Sequence, residues 1–253
     1  MVRLHTFEWG DPGAPPLVCL HGVTAHGERF KQLAEERWAE RFHVLAPDLR
    51  GHGRSTWEPP WTFAQHVADL VDTFGELGAV DWIGHSFGGR LILELAARHP
   101  ELVRRAVLLD PAIHVLPHVA EWAADHERSD PVYDSVEAYV DSRENPHGES
   151  RERALADMAL HVEELPDGRV RRRTSQAAMC SIYGELASEP PPPPAARTLL
   201  LYAPAYGLVR DEHVALYDEV VRVPGMHVVM WDAFEETASA VEHFLSEDPG
   251  AER

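Results

Sequence analysis

A chain of 253 residues with 42 acidic against 23 basic side chains carries a formal charge of −19, which argues against nucleic acid or an anionic membrane as a partner, since both would repel it. Hydrophobic residues at 44% and charged residues at 26% are the make-up of a globular protein, and the length allows one large core. No apolar run reaches membrane-spanning length and the opening "MVRLHTFEWG" holds no signal-like apolar region, so a cytoplasmic protein is expected.

In chain order, short apolar runs alternate with helical patterns. Strands are predicted at 2–10, at "PLVCLHG" (16–22), at "FHVLAPDLRG" (42–51) and at "VDWIGHS" (80–86). Helical stretches fall between them, at 27–41, 63–78 and 88–100. Further strands follow at "RAVLLD" (105–110), "RTLLLYAP" (197–204) and "VVRVPG" (220–225), with a last helix at 234–245. The central strands are apolar at nearly every position, as when both faces are covered. The fold class is therefore α/β, with a mostly parallel, doubly wound sheet. Cys19 sits inside one of these strands, so a disulfide with Cys180 is not expected.

The alternation stops between residues 112 and 196. That segment is polar and reads as helices at "PHVAEWAADHE", "SVEAYVDSRE", "SRERALADMALHVEEL" and "TSQAAMCSIYGELA", closing with the stiff run "PPPPP" (190–194). The organisation expected is a core of 1–111 and 197–253 with a helical lid, 112–196, inserted between two strands. An independent small domain is the other reading. The lid is preferred because short amphipathic helices need another surface against which to bury their apolar stripes. Trp122, Tyr139, Met179 and Tyr183 within it read as core or pocket lining, and "RVRRRTSQ" (169–176) as a salt-bridged surface.

Three motifs carry chemistry. "GHSFGG" (84–89) is G-x-S-x-G in the setting it needs, strand then sharp turn then helix, which lifts the Ser86 hydroxyl clear of the sheet and aims the Phe87 N–H at a forming oxyanion. "LHGVTAHG" (20–27) ends an apolar strand and offers the Val23 N–H as the second oxyanion donor. His21 there reads as a loop brace, and His26 as a surface or pocket histidine. "VPGMH" (223–227) sets His227 on a loop before the last helix, where a mobile imidazole can serve as general base. His114 and His118 lie four apart, but Pro117 interrupts the helix and no further ligand completes a metal set, so neither metal nor cofactor is expected.

The segments "HGVTAHG", "LAPDLRGHGRS", "GHSFGG", "VLLDPA" and "VPGMH" together resemble the α/β-hydrolase fold family over nearly the whole length, and within it the lid-bearing esterase-like members. The resemblance implies a Ser–His–acid triad, acyl-enzyme chemistry and no cofactor; Asp48, in the second segment, is structural. In most members the acid follows the strand that here reads "RTLLLYAP", a place where this chain has Pro204, Ala205 and Tyr206. Three explanations stand. The acid is Asp110, at the end of the preceding strand, as in haloalkane dehalogenases and zearalenone lactonases of the same superfamily. Or Asp211 or Glu212 folds back from the later loop, although Asp211 reads as the N-cap of a helix, "DEHVALYDEV". Or the acid is absent. Rigid placement at a strand end favours Asp110, and Asp232 breaks the chain order.

The resulting expectation is a carboxylesterase-like serine hydrolase acting on a small-molecule carboxylic ester or lactone. Ser86 is the nucleophile, His227 the base, Asp110 the acid with Asp211 as alternative, and Val23 and Phe87 the oxyanion donors. The other readings are a carbon–carbon bond hydrolase with the same triad, or a ligand-binding pseudo-enzyme. Nothing in the sequence speaks to oligomeric state.

Overall fold

A computed structural model describes residues 2–129, 132–142 and 150–247. The seven predicted runs become β1 (Thr6–Trp9), β2 (Pro16–Leu20), β3 (His43–Pro47), β4 (Val80–His85), β5 (Val103–Leu109), β8 (Arg197–Tyr202) and β9 (Glu219–Arg222). They form one sheet in the order β1-β3-β2-β4-β5-β8-β9. Only the β1–β3 pair is antiparallel. From β2 the chain first turns outward to β3 and then returns to β4 on the other side. That reversal makes the β2–β4 boundary a switch point, where the carboxyl ends of the strands leave a crevice.

Strand side chains alternate between faces, and the core divides accordingly. Val18, Leu20, Trp82, Leu108 and Leu200 pack with α2 (Phe63–Phe74) and α3 (Phe87–Arg98). Leu17, Cys19, Ile83, Val107 and Leu199 pack on the other face, with Phe30 and Trp38 of the helical stretch 27–38 and with α9 (Phe234–Ser246). That stretch changes winding twice, through Gly27–Phe30, α1 (Lys31–Leu33) and Ala34–Trp38. Both cysteines are free. Among the described residues no helix is long and apolar enough to cross a membrane.

Between β5 and β8 lie α4 (Pro117–Glu127), α5 (Val136–Ser142), α6 (Arg151–His161), the strands β6 (Val162–Glu164) and β7 (Val170–Arg172), and α7 (Gln176–Leu186). An all-helical segment is not what the structure holds: β6 and β7 form an antiparallel hairpin. "LPDGR" turns it, with Gly168 at φ 84° and the Leu165 N–H bonded to Arg169 O at 2.7 Å. Arg171 pairs across it with Glu163, and Arg172 with Glu127 of α4, so the basic run is spent on ion pairs within the protein. Pro117 does not interrupt a helix; it starts α4, where its missing N–H costs nothing. Trp122 is neither core nor lining, because α4 turns it to solvent with 70% of its surface exposed. The rest of "SVEAYVDSRE" beyond Ser142 lies outside the described residues.

Candidate active site

Ser86 joins β4 to α3 with φ 54° and ψ −115°, a conformation that L-residues rarely hold. The turn is tight enough to demand its glycines. A Cβ on Gly84 would lie 2.5 Å from the Gly88 backbone, and one on Gly88 would lie 2.2 Å from Leu20 O. Backbone bonds fix the rest: the Ser86 N–H donates to Leu109 O at 3.1 Å, and Ser86 O accepts from the Ala112 N–H at 3.0 Å. Phe87 is the first residue of α3, so its N–H is among those a helix leaves without an internal partner, at the positive end of the helix dipole.

Val23 follows β2 on a loop braced from beneath. Burial, then the neighbouring His52, holds His21 well below the usual imidazole pKa, so the ring is neutral. It donates from Nδ1 to Gly22 O at 2.8 Å and accepts the Leu49 N–H on Nε2 at 3.0 Å. His52 bonds through Nε2 to Val23 O itself. Asp48 is structural in the same sense, accepting from the Gly27 and Arg54 N–H groups at 3.0 and 2.9 Å. His26 is not a surface group. It is buried, with Nε2 3.0 Å from Asp157 of α6, and its ring stacks on His161 at 4.7 Å. Asp157 also binds Arg29, which ties the β5–β8 insertion to the loop that carries Val23.

Asp110 stands just past β5 with φ 40° and is fully buried. Its N–H donates to Leu201 O at 2.7 Å, and its Oδ1 accepts the Ala203 N–H at 3.2 Å, so β8 holds it at both ends. Its Oδ2 lies 2.6 Å from His227 Nδ1. Burial pushes the Asp110 carboxyl up to about 7, and burial, helped by Arg29, pushes His227 down to about 3. Each group thus resists carrying charge alone. The His227 loop is pinned where it leaves β9: the Met226 N–H donates to Asp232 Oδ2 at 2.8 Å, and His85 Nε2 lies 2.9 Å from His227 O.

Asp211 and Glu212 are not at this place. Both are exposed, and Asp211 is the first residue of α8 (Asp211–Val214), whose N-cap is Arg210. The expected helix "DEHVALYDEV" lasts four residues because Glu219–Arg222 is taken as β9 to pair with β8. Where the family pattern has its acid, Tyr206 instead stacks on the His227 ring, centroids 4.5 Å apart and planes at 16°. The sequence displayed Tyr206 at that spot but held no sign that the ring would lie on the imidazole. The strand ends of β2, β4, β5, β8 and β9, neighbours in that order, therefore bear Val23, Ser86, Asp110, Tyr206 and His227 along one edge.

The family model described as alpha/beta hydrolase fold matches residues 15–176. A lipase, LipV, of Mycobacterium tuberculosis is 36% identical over 194 residues, covering 75% of this chain and 73% of its own. The 2-(acetamidomethylene)succinate hydrolase of Mesorhizobium japonicum is 32% identical over 256 residues, covering 93% and 90%. Among solved structures, an E-2-(acetamidomethylene)succinate hydrolase superposes with a TM-score of 0.83 at 24% identity, over 96% of this chain and 95% of the other.

Proposed function

Because the chain belongs to the α/β-hydrolase fold family, we propose that it is a serine hydrolase that cleaves a carboxylic ester or lactone through an acyl-enzyme on Ser86. The observation that carries this reading is the 2.6 Å contact between Asp110 Oδ2 and His227 Nδ1, at the same sheet edge as a serine held at φ 54°. Relatives named as a lipase and as an esterase support the class of bond.

In this reading Ser86 Oγ attacks the carbonyl carbon while His227 Nε2 takes its proton. The Asp110 carboxylate fixes the tautomer with Nδ1 protonated and stabilises the imidazolium that forms. The N–H groups of Val23 and Phe87 hold the oxyanion, each contributing on the order of 3 kcal/mol to the transition state. Collapse passes the proton from His227 to the leaving alcohol, and water then repeats the cycle on the acyl-enzyme. The insertion, 112–196, acts as a lid that limits water and selects the acyl and alcohol groups.

The test is labelling with a fluorophosphonate, followed by intact mass and peptide mapping, with Ser86→Ala as control and hydrolysis of short p-nitrophenyl esters alongside. Modification confined to Ser86 together with ester turnover supports the reading. A folded wild-type protein that neither labels nor turns over any ester or lactone sinks it.

A further inference from the structure

Moving the carboxylate to β5 leaves the place after β8 open beside the imidazole, and an aromatic ring fills it. We propose that Tyr206 is a positioning residue for His227, its ring fixing the plane of the imidazole and offering a π-face to the cation that this base becomes. The proposal rests on the acyl-enzyme reading above.

One residue sets both supports. The Ala203 N–H donates to Asp110 Oδ1 at 3.2 Å, and Ala203 O accepts the Tyr206 N–H at 3.2 Å. The carboxylate at the edge of the imidazole and the ring on its face are therefore registered against the same residue, Ala203, just past β8. Gly207 follows at φ 78°, a conformation open to glycine. The planes of Tyr206 and His227 lie 16° apart, close to parallel, whereas His85, also against His227, is tilted by 41° at 4.6 Å. Among the described groups that bear on His227 are Asp110 from β5, His85 from β4, Arg29 from the helical stretch after β2, and Tyr206 itself. Arg29 opposes a positive imidazole; Asp110 and the Tyr206 face favour it.

The substitutions that separate a positioning role from bulk are Tyr206→Phe, which keeps the ring, and Tyr206→Leu, which keeps cover but removes the π-face. Tyr206 is only partly buried, so both are compatible with the fold, and thermal melts verify that. Three readouts are taken: the rate of fluorophosphonate labelling, the acid limb of kcat/KM for p-nitrophenyl acetate, and the His227 imidazole titration by NMR, assigned with His227→Gln. Tyr206→Phe should label within twofold of wild type. Tyr206→Leu should label about tenfold more slowly, with its acid limb and imidazole titration both moved to lower pH, as loss of a cation–π partner requires. Wild-type behaviour of folded Tyr206→Leu on all three overturns the proposal. So does Tyr206→Phe as slow as Tyr206→Leu, which would assign the effect to the hydroxyl. If wild-type Ser86 does not label at all, the acyl-enzyme reading fails by itself, and the imidazole titrations of wild type and Tyr206→Leu still decide whether the ring steadies His227.

Discussion

Asp110 Oδ2 meets His227 Nδ1 at 2.6 Å although β5 and β9, the strands that deliver them, are separated in the sheet by β8. The carboxylate bridges that gap by leaning on the intervening strand, through Ala203 on its other oxygen and Leu201 on its own N–H.

Asp110→Asn should therefore keep the fold and lose the base. An amide can occupy the same space but cannot both bind Nδ1–H and counter an imidazolium, and kcat should fall by about 10⁴. Asp211→Asn, exposed at the start of α8, should stay within twofold of wild type. Ester turnover and labelling rates on both variants, with melting curves, make the comparison. Equal loss in the two, or loss only in Asp211→Asn, would contradict the assignment.

The pH profile follows from the same contact. A carboxyl and an imidazole at 2.6 Å titrate as a pair. With burial pushing Asp110 up to about 7 and His227 down to about 3, the pair takes its first proton near neutrality. In the proposed mechanism, that proton is the one that the base must be free to accept from Ser86. The profile of kcat/KM should be level above about pH 7 and fall tenfold per unit below it. In Asp110→Asn the limb should move to lower pH, since a buried imidazole with no carboxylate protonates less readily.

The Asp157 contacts give a stability prediction. Arg29 and His26 hold this buried carboxyl far below the usual range, against the opposing effect of its burial. A depressed folded-state pKa contributes stability above the unfolded value near 3.8, and that contribution is lost as pH falls below it. Asp157→Asn leaves Arg29 and His26 facing a neutral amide and should cost roughly 3 kcal/mol at pH 7. Urea unfolding of both proteins should converge as pH drops below about 4. A difference that stays constant down to pH 3 would mean that packing, not charge, ties the insertion to the Val23 loop.

Strain at Ser86 should be measurable as well. A glycine accepts φ 54° without the Cβ penalty, so Ser86→Gly should raise the urea midpoint by an amount equal to about 1 kcal/mol while abolishing labelling. An unchanged or lowered midpoint would say that the surrounding bonds, chiefly Ser86 N to Leu109 O, already absorb the distortion.

What the sequence made legible was local. The inner strands β2, β3, β4, β5 and β8 announced themselves because they are covered on both faces and so are apolar at successive positions, and the Ser86 turn because the tight Gly84–Gly88 approach lies within one strand–turn–helix unit. The hairpin β6–β7 was hidden by its three-residue strands, rich in Glu and Arg, although "LPDGR" was a usable turn signal. The burial of His26 depends on Asp157, 131 residues away, and the stacking of Tyr206 on His227 depends on where two separate strands end. No spacing or periodicity reports such meetings. The outward turn of Trp122 was likewise out of reach, because an apolar residue on a helix does not itself say which side its neighbours cover.

Residues 112–196 look separable on paper, and the packing says otherwise. Ala178, Met179, Ile182 and Leu186 of α7 are buried in the same cluster as α2 and α3, while the link from the hairpin to α7 is stitched to the loop after β3 by Gly53 N to Arg173 O and Ser175 N to Gly51 O. Exchanging the whole segment with a homologous chain would tear out one wall of the scaffold along with the proposed lid. A graft that respects this protein would take α4 and α5 and leave the α7 wall and the Asp157 tie of α6 in place. In the proposed reading, such a graft exchanges selectivity between relatives without rebuilding the fold that displays it.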